Sequence, residues 1–348
     1  MIQDHFIILI HRIPQVRSHL KALIISAKSF SNGHNQSFEM ISRSVSYNIT
    51  MKDLSIIIVS FNTKKTTATT LDAVQVSLSK TPLISYQLIV IDNGSTDGSV
   101  EMLKAYKPFL PSGEILCIFN KRNIGFGAAN NQGIKKALCT YILLLNSDVV
   151  ADNVDFSNLL NYMGKNPRIG ILTVRVMLGK DRIDPASHRG FPTVWRSFCY
   201  FSKLQAFTKH IPGLNHIFGG YHLVHKNLSR IHEIDAPTAA FLLTRKDILD
   251  KVKGFDESYF MYGEDLDLAF RIKQLGYSVV YYPLYSVLHL KHQSGLKHKS
   301  KKTKRTTTYH FYNAMKIFYD THYAKHYPWL INACVHKVID VKYWFASL

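Results

Sequence analysis

The chain has 348 residues, of which 46% are hydrophobic, and its formal net charge is +19. This apolar content can fill the core of one or two domains, and it excludes a disordered chain, a collagen-like chain and a small disulfide-stapled scaffold. The sequence contains no run of about 18 apolar residues, so it predicts no membrane-spanning helix. The four cysteines form no C-x-x-C pair, so the sequence predicts neither a zinc ribbon nor a disulfide framework. This cysteine usage fits a protein of the reducing cytoplasm.

The excess of basic residues is the first indication of function. Lysine and arginine together number 43, against 24 aspartates and glutamates. Such a balance favours an anionic partner, which could be nucleic acid, an anionic membrane surface or a phosphorylated substrate. Composition alone does not choose among these three.

Residues 1–50 differ from the rest of the sequence. The apolar run 6–10 is followed by scattered basic residues, and this order does not match a signal peptide. We expect an N-terminal appendage of unknown structure. The alternative is that translation begins at Met51, because the segment that follows leads directly into a predicted core strand.

From residue 54 onward, strand and helix patterns alternate. The pattern predicts βαβ units and therefore a mainly parallel sheet flanked by helices, which is an α/β fold. In such open sheets the ligand site lies beyond the carboxyl ends of the strands, and polar residues follow all four predicted strands. The predicted strands are 54–60, 87–91, 115–119 and 141–145, and the predicted helices are 66–78, 100–106 and 127–138.

The second half of the sequence is less regular, and residues 189–231 receive no assigned element. A basic run of six lysines and arginines lies between residues 297 and 305, where it could screen a diphosphate, hold an acidic membrane surface or form a solvated loop. We predict strands at 169–176, 239–244 and 279–282, an aromatic loop at 256–263, and helices at 264–275, 309–323 and 330–345.

Asp148 follows a predicted core strand, with Asn146 two residues before it. Side chains two residues apart share one face of an extended segment, so the pair could hold Mg²⁺ or Mn²⁺ against a diphosphate. The alternative is that Asp148 caps the next helix. His289, at the end of a later apolar run, could contact the same metal or a phosphate, or it could be structural.

Glu264, Asp265 and Asp267 begin a predicted helix, where the helix dipole favours acidic residues. A catalytic interpretation requires one carboxylate to face the cleft and accept a proton from an attacking hydroxyl. The aromatic loop 259–262 could then exclude water or contact a sugar.

Two loops near the strand ends have the composition of nucleotide neighbours. Asp92 or Asn93 could hydrogen-bond a base, and the glycine-containing segment 123–133 could lie beside a phosphate or ribose. Neither loop contains the G-x-G-x-x-G fingerprint or the Walker A pattern.

Taken in order, six segments resemble glycosyltransferase family 2, most closely its rhamnosyltransferase-like bacterial members. The resemblance covers about two-thirds of the chain, from residue 54 to residue 294. The segments are SIIIVSFNT at 55–63, VIDNGSTDGS at 90–99, NIGFGAANNQGI at 123–134, LLLNSDV at 143–149, GFDESYFMYGEDLDLAFRIKQLGY at 254–277 and HLKHQS at 289–294.

The resemblance implies a glycosyltransferase A-type fold and a site for a nucleotide-diphosphate sugar. Asn146 replaces the first aspartate of the family's D-x-D motif, so Asp148, with His289, would hold the divalent Mn²⁺ or Mg²⁺. Asp265 matches the presumed catalytic base, and His289 and Ser294 match the residues near the diphosphate. The implied donor-binding residues are Ser60, Asn62, Asp92, Asn93, Asn123, Gly125, Asn130, Asn146 and Asp148, and Tyr262 and Glu264 belong to the acceptor loop.

The resemblance also implies a domain arrangement and a reaction. Residues 51–295 would form the transferase domain, with its nucleotide-binding half at about 51–150 and its acceptor and catalytic half at about 151–295. Residues 296–348 would form a basic, aromatic helical extension. The reaction would be inverting, and the absence of the Q-x-x-R-W motif of processive enzymes indicates transfer of one sugar per encounter. The implied acceptor is a glycan or lipid-diphosphate-linked glycan of bacterial surface polysaccharide, at the inner face of an anionic membrane.

Three alternatives remain at this stage. A nucleic-acid-binding protein would explain the charge, but no established binding motif is present and acidic residues concentrate at the strand ends. A sugar nucleotidyltransferase would normally carry a glycine-rich basic loop after its first strand, where this chain has SFNTKK. An inactive transferase is disfavoured because both Asp148 and Asp265 are present.

Overall fold

The computed structural model describes residues 53–81, 84–108, 113–179, 182–290 and 301–347, and residues 51–348 form one compact unit. The predictions for residues 1–50, for Ser294 and for most of the basic run lie outside the described residues.

The first half of the fold is the predicted alternation of strands and helices. All seven residues of the first strand are buried, as expected for a strand covered on both faces. Its side chains alternate between two cores: Ile56 and Ile58 pack in one, and Ile57 and Val59 in the other. The elements are β1 (Leu54–Ser60), α1 (Lys64–Ser79), β2 (Tyr86–Asp92), α2 (Ser99–Ala105), β3 (Gly113–Phe119), α3 (Phe126–Lys136) and β4 (Tyr141–Asn146).

The second half adds five strands, eight α-helices and two short 3-10 helices (Pro185–Ser187 and Ala324–His326) in the described residues. The five strands are β5 (Val149–Val150), β6 (Ile169–Met177), β7 (His232–Ile234), β8 (Phe241–Arg245) and β9 (Ser278–His289). The helices are α4 (Phe156–Lys165), α5 (Val194–Phe201), α6 (Leu204–Thr208), α7 (Leu214–Phe218), α8 (Lys246–Val252), α9 (Glu264–Gln274), α10 (Lys301–His322) and α11 (Trp329–Ser347).

All of these strands join one nine-stranded sheet, in the order β3-β2-β1-β4-β8-β6-β9-β5, with β7 on β9. Strands β1 to β4 pair in parallel, whereas β8 runs antiparallel to both β4 and β6. The carboxyl ends of the parallel strands therefore meet at one edge, as the sequence predicts. The antiparallel strand β5 then brings the end of β9 to the same edge, through the pair Val149 and His289.

Several elements differ from the sequence-based expectation. The predicted strand 279–282 continues to His289, although Pro283 lacks the N–H that a strand ladder uses. The ladder with β6 accommodates this residue by a register shift, from Val174 opposite Tyr282 to Arg175 opposite Ser286. Residues 189–231, which received no assigned element, contain the three short helices α5, α6 and α7.

A buried polar network fixes the C-terminal helices to the rest of the unit. His322 of α10 lies with its Nε2 2.8 Å from Asp267 Oδ1 of α9, and Arg271 forms a salt bridge with the same carboxylate. Asp267 is 1% exposed. Burial raises its pKa, but the hydrogen bonds from His322 and Arg271 outweigh burial and hold the pKa below its usual range. Asp267 thus anchors α10 onto α9 rather than facing the cavity.

No helix in the described part of the chain is both long enough and apolar enough to cross a bilayer.

Candidate active site

A cavity of about 1160 Å³ opens at the edge where the parallel strands end. Its polar side is formed by residues that the sequence singled out, from three separate parts of the fold. The sheet edge contributes Asn93, Asn123, Asn146 and Asp148, the end of β9 contributes His289, and the region before and at the start of α9 contributes Tyr262, Glu264 and Asp265.

Asp148 and His289 lie together because β5 pairs with β9. The imidazole Nε2 of His289 is 3.2 Å from Asp148 Oδ1, and its Nδ1 is 3.4 Å from Asp184 Oδ2. The backbone N–H of Leu290 donates to the carbonyl of Asp148 at 2.8 Å. One imidazole thus lies between two carboxylates and holds the Asp148 side chain at the cavity.

The donor set at this point suits a hard divalent cation. The Oδ1 atom of Asn146 is buried and has no hydrogen-bond partner among the described residues, and the Asp148 carboxylate is two residues away. Mg²⁺ and Mn²⁺ prefer oxygen ligands and usually bind one or two protein carboxylates together with substrate phosphates. Within the described residues, no group of three His, Cys, Asp and Glu side chains could hold a metal by itself. The arrangement therefore fits a cation that is shared with a phosphate ligand.

Asp265 faces the cavity from the first turn of α9, and Arg189 forms a salt bridge with it. The guanidinium NH2 of Arg189 donates to Asp265 Oδ2 at 2.8 Å, and both side chains are 12% exposed. The backbone N–H of Leu266 donates to Oδ1 at 2.8 Å. An ionised carboxylate offers about four acceptor positions, so these two bonds orient it and leave further lone pairs for a ligand.

The backbone conformation before α9 directs these acids into the cavity. Tyr262 and Gly263 have φ values of 69° and 82°, so two consecutive residues adopt left-handed conformations. A bulky residue such as tyrosine rarely does so, which marks this turn as strained. The helix starts immediately afterwards, so Glu264 and Asp265 lie at its N-terminal end, where the helix dipole favours negative charge.

Glu264 lies beside Asp265 and is 7% exposed, and its Oε2 has no hydrogen-bond partner among the described residues. Burial, followed by the neighbouring negative charge of Asp265, raises the pKa of Glu264 to about 8. The two adjacent carboxyl groups therefore differ at neutral pH. Glu264 is mainly protonated and can donate a hydrogen bond into the cavity, whereas Asp265 is paired with a cation.

Asn93 holds the loop that follows β3. Its Nδ2 donates to Asn123 Oδ1 at 2.9 Å and to the carbonyl of Gly125 at 3.2 Å. Its Oδ1 accepts from Asn120 Nδ2 and from the N–H of Ile124, both at 3.1 Å. All four hydrogen-bonding positions of this amide are used within the protein, so Asn93 shapes this side of the cavity through the loop.

The remaining predicted donor residues lie outside the lining of the cavity. Ser60 is buried against Thr67, and Asn130 donates to the carbonyl of Phe126. Asn62 Oδ1 accepts from the N–H of Thr96, and Asp92 Oδ1 accepts from the N–H of Ser95. These bonds fix the loops after β1 and β2, which are the two loops that lead into the site.

Gly125 joins the donor side of the cavity to the aromatic loop. Its φ is 93°, and a Cβ atom added there would lie 2.9 Å from the carbonyl oxygen of Phe260. The next N–H, from Phe126, donates to that same carbonyl at 3.0 Å. Any other residue at position 125 would strain the backbone and push the aromatic loop away.

Sequence reasoning missed Arg189 and Asp184. Arg189 lies 76 residues from Asp265, and Asp184 lies 105 residues from His289. No local pattern connects such pairs, and both missed residues lie in or beside a region whose elements the sequence did not indicate. The only available signal was an arginine in a segment rich in aromatic and basic residues.

The sequence model of the family described as Glycosyl transferase family 2 matches residues 55–228. This range contains β2 to β4, all of β1 except Leu54, and the sheet-edge residues of the cavity. The chain belongs to this family. It is therefore a glycosyltransferase, and the predicted glycosyltransferase A-type α/β fold is confirmed.

Two curated relatives of this family member are rhamnosyltransferases. The N-acetylglucosaminyl-diphospho-decaprenol L-rhamnosyltransferase of Mycobacterium tuberculosis is 26% identical over 232 residues, covering 60% of this chain and 68% of the relative. Rhamnosyltransferase WbbL of Escherichia coli is 26% identical over 185 residues, covering 51% of this chain and 65% of the relative.

Two solved structures resemble the glycosyltransferase at a TM-score of 0.47 and 14% identity. They are S. aureus TarS in complex with UDP, and the mannosyltransferase PcManGT from Pyrobaculum calidifontis in complex with GDP-Man and Mn²⁺. Each alignment covers 76% of this chain and 64% of the other.

The raised pKa of Glu264 predicts a pH dependence of stability. Between its ordinary pKa of 4.5 and about 8, the unfolded chain releases a proton that the folded protein retains. The free energy of unfolding should therefore decrease as the pH rises through this window, by up to about 1.4 kcal/mol per pH unit from this group. Urea denaturation from pH 5 to pH 8 measures the slope, and Glu264→Gln should remove this contribution. If the free energy of unfolding changed with pH equally in the unaltered protein and in Glu264→Gln, the raised pKa of Glu264 would be contradicted.

Proposed function

We propose that the protein is an inverting, non-processive glycosyltransferase that moves one sugar from a nucleotide-diphosphate sugar to an acceptor hydroxyl. The observation that carries the proposal is the placement of two acidic groups on one cavity. Asp148, with Asn146, lies at the sheet edge, and Asp265 lies at the start of α9. These positions suit a diphosphate at one side and an attacking hydroxyl at the other.

Asp265 is the proposed general base. Its carboxylate accepts the proton of the acceptor hydroxyl as the acceptor oxygen forms a bond to the anomeric carbon. The bond from that carbon to the phosphate oxygen breaks, and the nucleoside diphosphate leaves with the electron pair. Arg189 is the proposed positioning residue, because its bond to Oδ2 fixes the direction of the carboxylate.

Asn146 and Asp148 are the proposed holders of a divalent cation, Mn²⁺ or Mg²⁺, which would supply positive charge to the leaving diphosphate. His289 orients Asp148 through its Nε2 and faces the same part of the cavity. Glu264, as a protonated acid, would donate a hydrogen bond to the acceptor. The proposed donor side includes Asn123 and the loop that Asn93 fixes.

The proposed acceptor is a glycan attached to a lipid diphosphate, used in bacterial surface polysaccharide synthesis. The mycobacterial relative is named for such a substrate, a diphospho-decaprenol. The donor sugar stays open. Rhamnose is supported only by the names of the two relatives.

We also propose peripheral binding to the inner face of an anionic membrane. The support is the basic charge of the chain and the outer surface of α11, where Trp329, Trp344 and Phe345 are each more than half exposed. We expect the full chain to float with anionic liposomes and a chain lacking residues 329–348 to remain in the soluble fraction. If the full chain and the shortened chain floated with the liposomes to the same extent, membrane binding through α11 would be contradicted.

A donor screen tests the proposed reaction. UDP-, dTDP- and GDP-sugars are each incubated with the protein and Mn²⁺ or Mg²⁺, and nucleotide release is measured with and without EDTA. We expect release from one nucleotide class, which EDTA abolishes. Thermal-shift binding of the nucleotides is measured in parallel, because hydrolysis without an acceptor can be slow. Absence of both release and nucleotide binding would overturn the proposed reaction.

A further inference from the structure

One side of the cavity is formed by helices and is apolar. Three helices contribute to it, and each faces the cavity with residues three or four positions apart, the spacing of one helical face. We call these residues the apolar wall: Val194, Phe198 and Phe201 of α5, Phe311, Ala314, Met315 and Phe318 of α10, and Ile331, Val335, Val338 and Ile339 of α11.

The outer end of the apolar wall is open to solvent. Phe198 is 55% exposed and Val338 is 53% exposed, whereas Phe318 and Ile339, which also line the cavity, are buried. Lys342 of α11 lies with its Nζ 4.2 Å from the ring centroid of Phe201 of α5, so the two helices meet at this end. The wall thus includes Ala314, which lies against Gly263 beside the acidic residues, and reaches the protein surface at Phe198 and Val338.

A nucleotide sugar does not account for this wall, because such a donor is polar and charged over most of its surface. The cavity, at about 1160 Å³, also exceeds the roughly 300–1,000 Å³ of most small-molecule sites. The sheet edge offers the polar groups that a donor requires. The remaining volume and the apolar wall therefore suit a second substrate with a large hydrophobic part.

We propose that the apolar wall binds the hydrocarbon chain of a lipid-linked acceptor, an isoprenoid chain that carries its sugar through phosphate. The hydrocarbon chain of the acceptor lies between α5, α10 and α11, and the sugar at its other end reaches Asp265. The exposed Arg182, which lines the same cavity, supplies positive charge for the linking phosphates. This inference rests on the proposed transferase function, and it assigns the acceptor's lipid to a specific part of this chain.

Binding of prenyl diphosphates of increasing length tests the assignment. Isopentenyl, geranyl, farnesyl and geranylgeranyl diphosphate are titrated into the full chain by calorimetry. The nucleotide selected in the donor screen is present at saturation, so that its diphosphate site is filled. We expect Kd to fall by at least about tenfold for each added isoprene unit, because each unit moves further CH₂ and CH₃ groups out of water.

Two valines of α11 provide a matched pair of variants. Val338 lines the cavity, whereas Val341 does not, and both are at least 41% exposed, so either replacement should leave the fold intact. Val338→Asp places a charge in the apolar wall and should abolish the chain-length dependence without changing the Kd of isopentenyl diphosphate. Val341→Asp should retain the dependence of the unaltered protein.

The outcomes separate this inference from the proposed function. A Kd independent of chain length, prenyl diphosphates that bind only by displacing the nucleotide, or equal losses in both variants would overturn the assignment. If another segment of this protein or a second copy covered the apolar wall, the Kd would not depend on the length of the prenyl chain. Nucleotide binding that persists in every variant leaves the transferase proposal standing, whereas its absence in the unaltered protein counts against the transferase function alone.

Discussion

The salt bridge between Arg189 and Asp265 is the interaction on which the candidate site depends. A carboxylate that is only 12% exposed must be paired, and removing one partner of such a pair typically costs about 3–5 kcal/mol. The backbone N–H of Arg189 donates to the carbonyl of Ala236, and the N–H of Ala236 donates to the carbonyl of Arg189. The NH2 group of Arg189 also donates to the carbonyl of Pro237. The side chain that orients Asp265 is thus fixed by the segment that precedes β8.

This arrangement leaves two neighbouring acids with different properties. Asp265 stays beside the Arg189 guanidinium, whereas Glu264 is buried next to Asp265, and its Oε2 has no hydrogen-bond partner among the described residues. The pKa of Glu264 is raised to about 8, first by burial and then by the negative charge of Asp265. Proteins commonly separate the roles of two adjacent carboxyl groups by giving them different surroundings. The left-handed turn at Tyr262 and Gly263 places both acids at one helix start, so the same backbone feature supplies an acceptor and a donor of hydrogen bonds.

The sequence predicted the parts of the fold that depend on local patterns. Strands β1 to β4 are marked by continuous apolar runs, and the polar residues after them lie at one edge because parallel strands end together. Asp148 and Asp265 were found because each lies in a distinctive short segment, and both line the cavity. The extension of β9 past Pro283 was not predicted, because a proline normally ends a strand and only the neighbouring strand β6 shows how the ladder shifts around it.

The partners of the site residues could not be predicted, because they come from distant segments. Asp184 contacts His289 because its backbone N–H donates to Val176 of β6, which pairs with β9. Arg189 reaches Asp265 from a backbone pairing with Ala236, before β8. Asn93 illustrates a different limit. Its position at a strand end was predicted, but its four hydrogen bonds to the following loop depend on geometry that a sequence does not contain. The apolar wall could not be predicted either. The sequence of each helix shows apolar residues at the spacing of one face, but only the fold brings the three faces together around one cavity.

The measurement that tests the central claim most directly is Asp265→Asn with the donor from the nucleotide-sugar screen. If Asp265 is the general base, turnover should fall by about a hundredfold to ten-thousandfold, while the Kd of the nucleotide sugar stays within about threefold. Asp247→Asn, an exposed change on α8, is the matched control and should alter neither value. Thermal unfolding of both variants establishes that they are folded. Retained turnover, or loss of donor binding in a folded Asp265→Asn protein, would contradict the account.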